Sequence, residues 1–226
     1  MQRLAIFGGT FDPIHRGHLL VAEIALAQLH LEQVIWVPSK NPPHKQAALF
    51  EHRVAMLQLA TANNPAFTVS LIERERSGTS YAINTLIDLS TCYPNTNWYW
   101  IIGLDAFQTL PRWYLGHELA QMCDWLIAPR LLGGETIAQS ESICKQVEQE
   151  LKEQAEKSVL TRHLGRAERS PQAHIIHWQL LHTPLVRVSS SIIREFCRVS
   201  HSIHGLVPES VSYYITNHNL YSNNSE

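Results

Sequence analysis

Gly8-Gly9-Thr10-Phe11-Asp12-Pro13-Ile14-His15-Arg16-Gly17-His18 joins two unlike pieces of chain. Before it, Leu4 to Phe7 is a short apolar run that stops at paired glycines, the pattern of a buried strand ending in a turn. After it, Gly17 to about Leu31 is apolar on more than one side, the pattern of a helix packed into a core. Strand, glycine turn and helix start, in that order, open a parallel α/β sheet. Two glycines let backbone amides approach phosphate oxygens, and the helix start behind them adds positive dipole. His15 and His18 are three residues apart, so near a helix start both can point the same way. Such an imidazole pair suits an anionic transition state. The string is neither GxxxxGK(S/T) nor GxGxxG.

The same alternation continues outward. Val34 to Val37 reads as a second strand closed by Pro38, and the prolines of Asn41-Pro42-Pro43-His44 exclude helix there. Residues 50–62 are helical, Phe67 to Ile72 alternates as a strand, and Tyr81 to Ser90 is a helix with Ser80 as its cap. Trp98 to Ile102 is a strand ending at Gly103, Glu118 to Cys123 a short helix, and Trp125 to Ala128 a strand. The expected fold is a Rossmann-like parallel α/β sheet with helices on both faces, in one domain over 1–226. Ligands then bind beyond the carboxyl ends of the strands. Residues 131–172 differ: Ile143, Val147 and Leu151 recur on a polar background, followed by a basic loop. That stretch reads as a helical insertion or lid, with a partner-binding helix as the alternative. His174 to Leu180 is the expected last strand. A small helical part over 189–221 follows, with a capped helix from Ser189 to Arg198 and a last helix from Pro208 to about Asn217.

Composition narrows the function. The chain has 226 residues, 45% hydrophobic and 17% charged, enough for a self-sufficient core. Lys+Arg is 18 and Asp+Glu is 20, a formal net charge of −2, which argues against bulk-charge binding to nucleic acid or a membrane surface. No apolar run approaches membrane-spanning length, and MQRLAIFGG turns polar too quickly for a signal peptide. Cys92, Cys123, Cys144 and Cys197 form no CxxC pair, so neither a zinc knuckle nor a disulfide framework is indicated. A cytoplasmic protein with no nucleic-acid or membrane partner is expected, and homo-oligomerisation stays open.

GGTFDPIHRGH resembles the signature of the nucleotidyltransferase superfamily that carries HxGH, which includes nicotinate/nicotinamide mononucleotide, phosphopantetheine and cytidylyl transferases. By that resemblance His15 and His18 bind ATP phosphates, alongside Gly8, Gly9, Thr10 and Phe11. Val188-Ser189-Ser190-Ser191-Ile192-Ile193-Arg194 resembles the superfamily's second motif, ISSTxIR. Serine hydroxyls and a helix N-terminus can grip phosphate together, and Arg194 adds a forked cation. Ser190, Ser191 and Arg194 therefore join the expected ATP site.

Further segments are similar to bacterial nicotinate mononucleotide adenylyltransferases. Pro38-Ser39-Lys40-Asn41-Pro42-Pro43-His44-Lys45 looks like PxxxPPHK, and His44 and Lys45 can present cations to phosphate. Gly78 to Leu86 resembles PSYTxxTL, which makes Thr85 a candidate mononucleotide contact; Gly78-Thr79 and Ala82 depart from that pattern. Ile102-Gly103-Leu104-Asp105 with Trp113-Tyr114 resembles GxD…W. Asp105 can accept from ribose hydroxyls, Trp113 can stack on a pyridinium, and the backbone near Tyr114 could hold a carboxylate. Gly205 to Ile215 looks like the family's C-terminal GLVPxxVxxYI and is expected to be structural.

The resemblance implies adenylyl transfer from ATP to nicotinate mononucleotide, giving nicotinate adenine dinucleotide and pyrophosphate. His15, His18 and Arg194 would be the catalytic groups, with Mg²⁺ carried on the ATP. Nicotinamide mononucleotide as acceptor, or a non-catalytic nucleotide sensor, remain alternatives.

Overall fold

The structure is a computed structural model that describes residues 1–42, 47–129, 136–163, 176–184 and 188–222. Strands β1 (Gln2–Gly9), β2 (Gln33–Pro38), β3 (Phe67–Val69), β4 (Thr96–Gly103), β5 (Asp124–Ala128) and β6 (Trp178–Leu180) form a sheet ordered β3-β2-β1-β4-β5-β6. Every pairing is parallel. The chain winds outward from β1 to β3, then crosses to β4 and winds the other way. The switch point therefore lies between β1 and β4, and there the pairing stops at Phe7↔Ile101. Gly8 and Gly9 stay paired to β2 alone, through Val37 and Pro38. That divergence opens a crevice at the carboxyl ends, where a doubly wound sheet binds ligands.

Strands β1, β2, β4 and β5 bury both faces, because side chains alternate across them. Leu4, Ile6, Trp98, Trp100, Ile102, Trp125 and Ile127 lie in one cluster; Ala5, Phe7, Trp36, Tyr99, Ile101 and Leu126 lie in the other. Helices α1 (Arg16–Leu29), α2 (Phe50–Thr61), α7 (Ser190–Arg198) and α8 (Glu209–Asn217) cover the second face through Ala22, Ala25, Met56, Leu57, Ile193, Val211 and Ile215. Helices α3 (Ala82–Cys92), α4 (Leu104–Phe107), α5 (Gly116–Leu119) and α6 (Ile137–His163) cover the first. The expected architecture holds.

The polar stretch after β5 is where packing adds most to the pattern. Helix α6 lies in the β5-to-β6 crossover. Cys144, Val147 and Leu151 are buried in the first cluster, with Ile143 packed against it. Gln154 donates to the Pro111 carbonyl (3.1 Å), and Glu148 accepts from Trp178 Nε1 (2.8 Å) and pairs with Lys152 (2.6 Å). Burial alone would raise the Glu148 pKa, but these partners bring it below the usual carboxylate range. Of the expected basic loop over 160–171, residues 160–163 continue α6 and the rest lies outside the described residues, as does His174; the last strand begins at Trp178.

Local expectations shift in three places. β3 ends at Val69 rather than Ile72, because the chain turns at Leu71–Arg74 to bring Glu73 inward. Between β4 and β5, α4 and a 3-10 turn (Leu110–Arg112) precede a helix at Gly116–Leu119, four residues earlier than the Glu118–Cys123 pattern ends. Ser80 does not cap α3: Tyr81 holds the cap position, and the Ser80 hydroxyl accepts from the Asn41 amide (3.1 Å). No helix among the described residues is long and apolar enough to cross a membrane.

Candidate active site

The loop after β1 turns at Phe11, which has a positive φ of 50°, and delivers His15 as the cap of α1. His15 and His18 then cap each other. The His18 amide donates to His15 Nδ1 and the His15 amide to His18 Nδ1, both at 3.3 Å. Their rings stack with centroids 3.6 Å apart and 22° between planes. In each ring an accepting Nδ1 places the proton of the neutral form on Nε2, a donor aimed away from the cap. Phe7 and Phe11 pack edge-on against His18 at 5.9 and 5.3 Å. The residue between the histidines must be small. A Cβ on Gly17 would stand 3.0 Å from His15 Nδ1 and 2.9 Å from Val188 Cγ1. The helix start is less open than a bare α-helix N-terminus, since the Arg16 amide donates to the Leu206 carbonyl (3.0 Å) and that of His18 serves the cap.

The serine-rich segment docks on the same loop. Ser189 caps α7, accepting from the Ile192 amide (3.2 Å). Ser190 donates to the Pro13 carbonyl (2.9 Å). Arg194 donates through Nη1 to the Asp12 carbonyl (2.6 Å) and through Nη2 to Ser191 Oγ (3.4 Å), and lies 3.8 Å from the Asp12 carboxylate. Asp12 is buried and also accepts from the Tyr221 hydroxyl (2.7 Å) and the Ala48 amide (3.3 Å). Burial, reinforced by Asp12, pushes the Tyr221 phenol far above its ordinary pKa, so it stays a donor. The two motifs are thus one unit, held together at Asp12. Replacing Tyr221 with Phe is expected to cost about 2 kcal/mol, the worth of a hydrogen bond to a buried charge. A urea midpoint lowered at unchanged m-value would show it, and an unchanged midpoint would contradict it.

At the other end of the crevice, Asp105 sits exposed in the first turn of α4, directly after β4. Trp113 is half-buried against the first cluster and donates from Nε1 to Thr109 Oγ1 (2.9 Å). Tyr114 is exposed, with its ring 4.5 Å from that of Tyr81 and tilted by 31°. Tyr81 stands at the start of α3, so this pair marks the carboxyl-end side of the sheet. Thr85 is placed differently. It is 2% exposed, donates to Glu73 Oε1 (2.6 Å) and accepts from Arg76 (3.0 Å), so its hydroxyl does not line the open crevice. Glu73 also accepts from the Lys40 amide (3.1 Å), and Arg76 pairs with Asp88. His44 and Lys45 lie outside the described residues.

Comparison with known proteins finds relatives in sequence and in fold. A family model described as Cytidylyltransferase-like covers residues 6–196, from β1 into α7. A relative from Trichormus variabilis, named "Probable nicotinate-nucleotide adenylyltransferase", is 66% identical over the full length of both chains. The chain belongs to this nicotinate-nucleotide adenylyltransferase family. A Synechococcus relative bearing the same name is 40% identical over 97% of each chain. The Plasmodium falciparum nicotinic acid mononucleotide adenylyltransferase complexed with NaAD has the same fold, with a TM-score of 0.74, 20% identity and 98% of each chain covered.

Within this adenylyltransferase, two residues packed beside the candidate site carried no sequence signal. Tyr221 lies in a polar tail, 209 residues from its partner Asp12. Glu73 sits in the charged run Glu73-Arg74-Glu75-Arg76, which reads as solvated surface, yet it is buried. A buried carboxylate needs partners. Glu73 has them in Thr85, Arg76 and the Lys40 amide, tying the start of α3 to the loop after β2.

Proposed function

We propose that the protein transfers the adenylyl group of ATP to nicotinate mononucleotide, giving nicotinate adenine dinucleotide and pyrophosphate in NAD biosynthesis. The observation that carries the reading is the stacked His15–His18 pair at the switch point, on the loop to which Ser190 and Arg194 are bonded. A phosphate oxygen of the mononucleotide attacks the α-phosphorus of ATP in line. The new phosphorus–oxygen bond forms as the bond to the bridging oxygen breaks, and pyrophosphate leaves with that electron pair. The nucleophile is already an anion, so catalysis is positioning plus charge neutralisation.

His18 Nε2–H serves the α-phosphate, while His15 and Arg194 hold the departing pyrophosphate. Gly8, Gly9, Thr10 and Phe11 form the floor for ATP, with Ser190 and Ser191 at its phosphates. Arg194 is already fixed beside the loop by the Asp12 carbonyl, so little ordering is left to bind its anion. Asp105 takes ribose hydroxyls, Trp113 stacks on the pyridine, and the backbone at Tyr114 receives the nicotinate carboxylate. His44 and Lys45 meet the mononucleotide phosphate. Thr85 contributes through the Glu73–Arg76 network that sets the start of α3. Mg²⁺ would accompany the triphosphate of ATP, which binds it mainly through its own oxygens. The cysteines are unpaired, which suits a reducing cytoplasm.

Pyrophosphate release with Mg·ATP should be at least about tenfold faster, as kcat/KM, with nicotinate than with nicotinamide mononucleotide, because an amide leaves the carboxylate site unsatisfied. Equal or reversed preference would overturn the acceptor, and no turnover with either would favour a nucleotide sensor.

A further inference from the structure

Arg53, on α2, is 1% exposed and belongs to neither recognised motif. Its hydrogen-bond acceptors are backbone carbonyls. Nη1 donates to Thr10 O and to Ser39 O, both at 2.8 Å; Nε donates to Ala48 O (2.9 Å) and Nη2 to Lys40 O (3.3 Å). Thr10 belongs to the loop after β1. Ser39, Lys40 and Ala48 belong to the segment between β2 and α2. One nitrogen, with one hydrogen for each loop, therefore bridges the two. The strand ends below are already joined, since the Ser39 amide donates to the Gly9 carbonyl (2.9 Å). Arg53 continues that connection one residue further, where no ladder exists.

Burying a guanidinium is costly, and burial here lowers its pKa while Asp12 opposes the shift. A cation kept at that cost with its hydrogen bonds on backbone carbonyls is holding backbone in place. The planar fork suits the task, because it fixes the angle between its acceptors as well as their distance.

We propose that Arg53 is a positioning residue for adenylyl transfer, setting the separation between the loop that holds ATP and the loop that begins the mononucleotide-binding segment. In-line attack tolerates little error, and a displacement of about 1 Å can lower the rate about a hundredfold. The inference rests on the adenylyl-transfer reading. Its consequence is specific: loosening Arg53 harms the chemical step more than the binding of either substrate alone.

The test compares wild type with R53K and R53A, taking rates per folded molecule as counted by denaturant titration. R53K keeps a buried cation but lacks the planar fork that reaches the Thr10, Ser39, Ala48 and Lys40 carbonyls together. Its kcat should fall about a hundredfold, with KM for ATP and for the mononucleotide each changed by less than about fivefold. In R53A, millimolar guanidinium should restore part of the lost kcat, whereas urea, of the same shape without the charge, should not. Wild-type kcat in folded R53K would overturn the role, as would an activity loss fully accounted for by fewer folded molecules, or failure of both variants to fold. Were wild type itself inactive toward pyridine mononucleotides, the functional reading would fail separately. Backbone amide exchange in the loops after β1 and β2 would then report on Arg53: faster exchange in R53K would support its bridge between them, and equal exchange would overturn it.

Discussion

Alanine at position 18 is expected to lower kcat about a thousandfold, with kcat/KM falling in parallel. His18 Nδ1 accepts from the His15 amide, and in the proposed role Nε2–H donates to charge developing at the α-phosphate. That interaction strengthens in the transition state, so its loss appears in turnover rather than in substrate binding. The same substitution removes the His18 half of the capping box, worth about 1 kcal/mol, and the two effects can be separated. In His18→Asn an amide oxygen can take the place of Nδ1 and keep the cap, while nothing replaces Nε2. That variant should be as slow as His18→Ala but more stable than it. Stopped-turnover assays with denaturation curves on both variants decide the matter. Wild-type turnover in His18→Asn would remove the phosphate role.

The second large effect is structural in origin. Gly116→Ala would place a Cβ 2.1 Å from the Leu110 carbonyl oxygen and 3.3 Å from its carbon. Neither atom can swing away, because that carbonyl accepts from the Trp113 amide (3.0 Å) and closes the 3-10 turn. Leu115, just before, already has a left-handed φ of 52°, which leaves the backbone little slack. The whole 110–116 segment must therefore shift, at a cost of about 3 kcal/mol. Trp113 and Tyr114 ride on that segment. KM for nicotinate mononucleotide should rise about tenfold or more, while KM for ATP stays near wild type, since α7 and the loop after β1 are built from other parts of the chain. Wild-type stability together with an unchanged mononucleotide KM would contradict this account.

Much of the site was legible because it is local. The glycine turn, the histidine spacing and the serine cap each lie within a few residues, and helix-start geometry converts that spacing into a shared direction. Ser189 caps α7 as its position suggested. The stripe of Ile143, Val147 and Leu151 was visible as a period, whereas the surface it packs on was not. Thr85 shows the opposite case. Its place in the PSYTxxTL-like segment is plain, but burial beside Glu73 and Arg76 gives its hydroxyl to them. Ser80 likewise had cap chemistry available and spent it on the Asn41 amide, across the gap between two loops.

By itself the chain's local order determined the alternating strands and helices, the direction of the sheet and which residues stand at the two helix starts of the candidate site. Those follow from periodicity and from turn chemistry over a dozen residues or fewer. Tertiary structure alone decided that Arg53 bridges two loops, that Glu73 is buried, and that Tyr221 reaches Asp12 across 209 positions. Such contacts leave no periodic trace. A charged or phenolic side chain looks the same in sequence whether water or a distant carbonyl satisfies it, and only the packed core excludes the water.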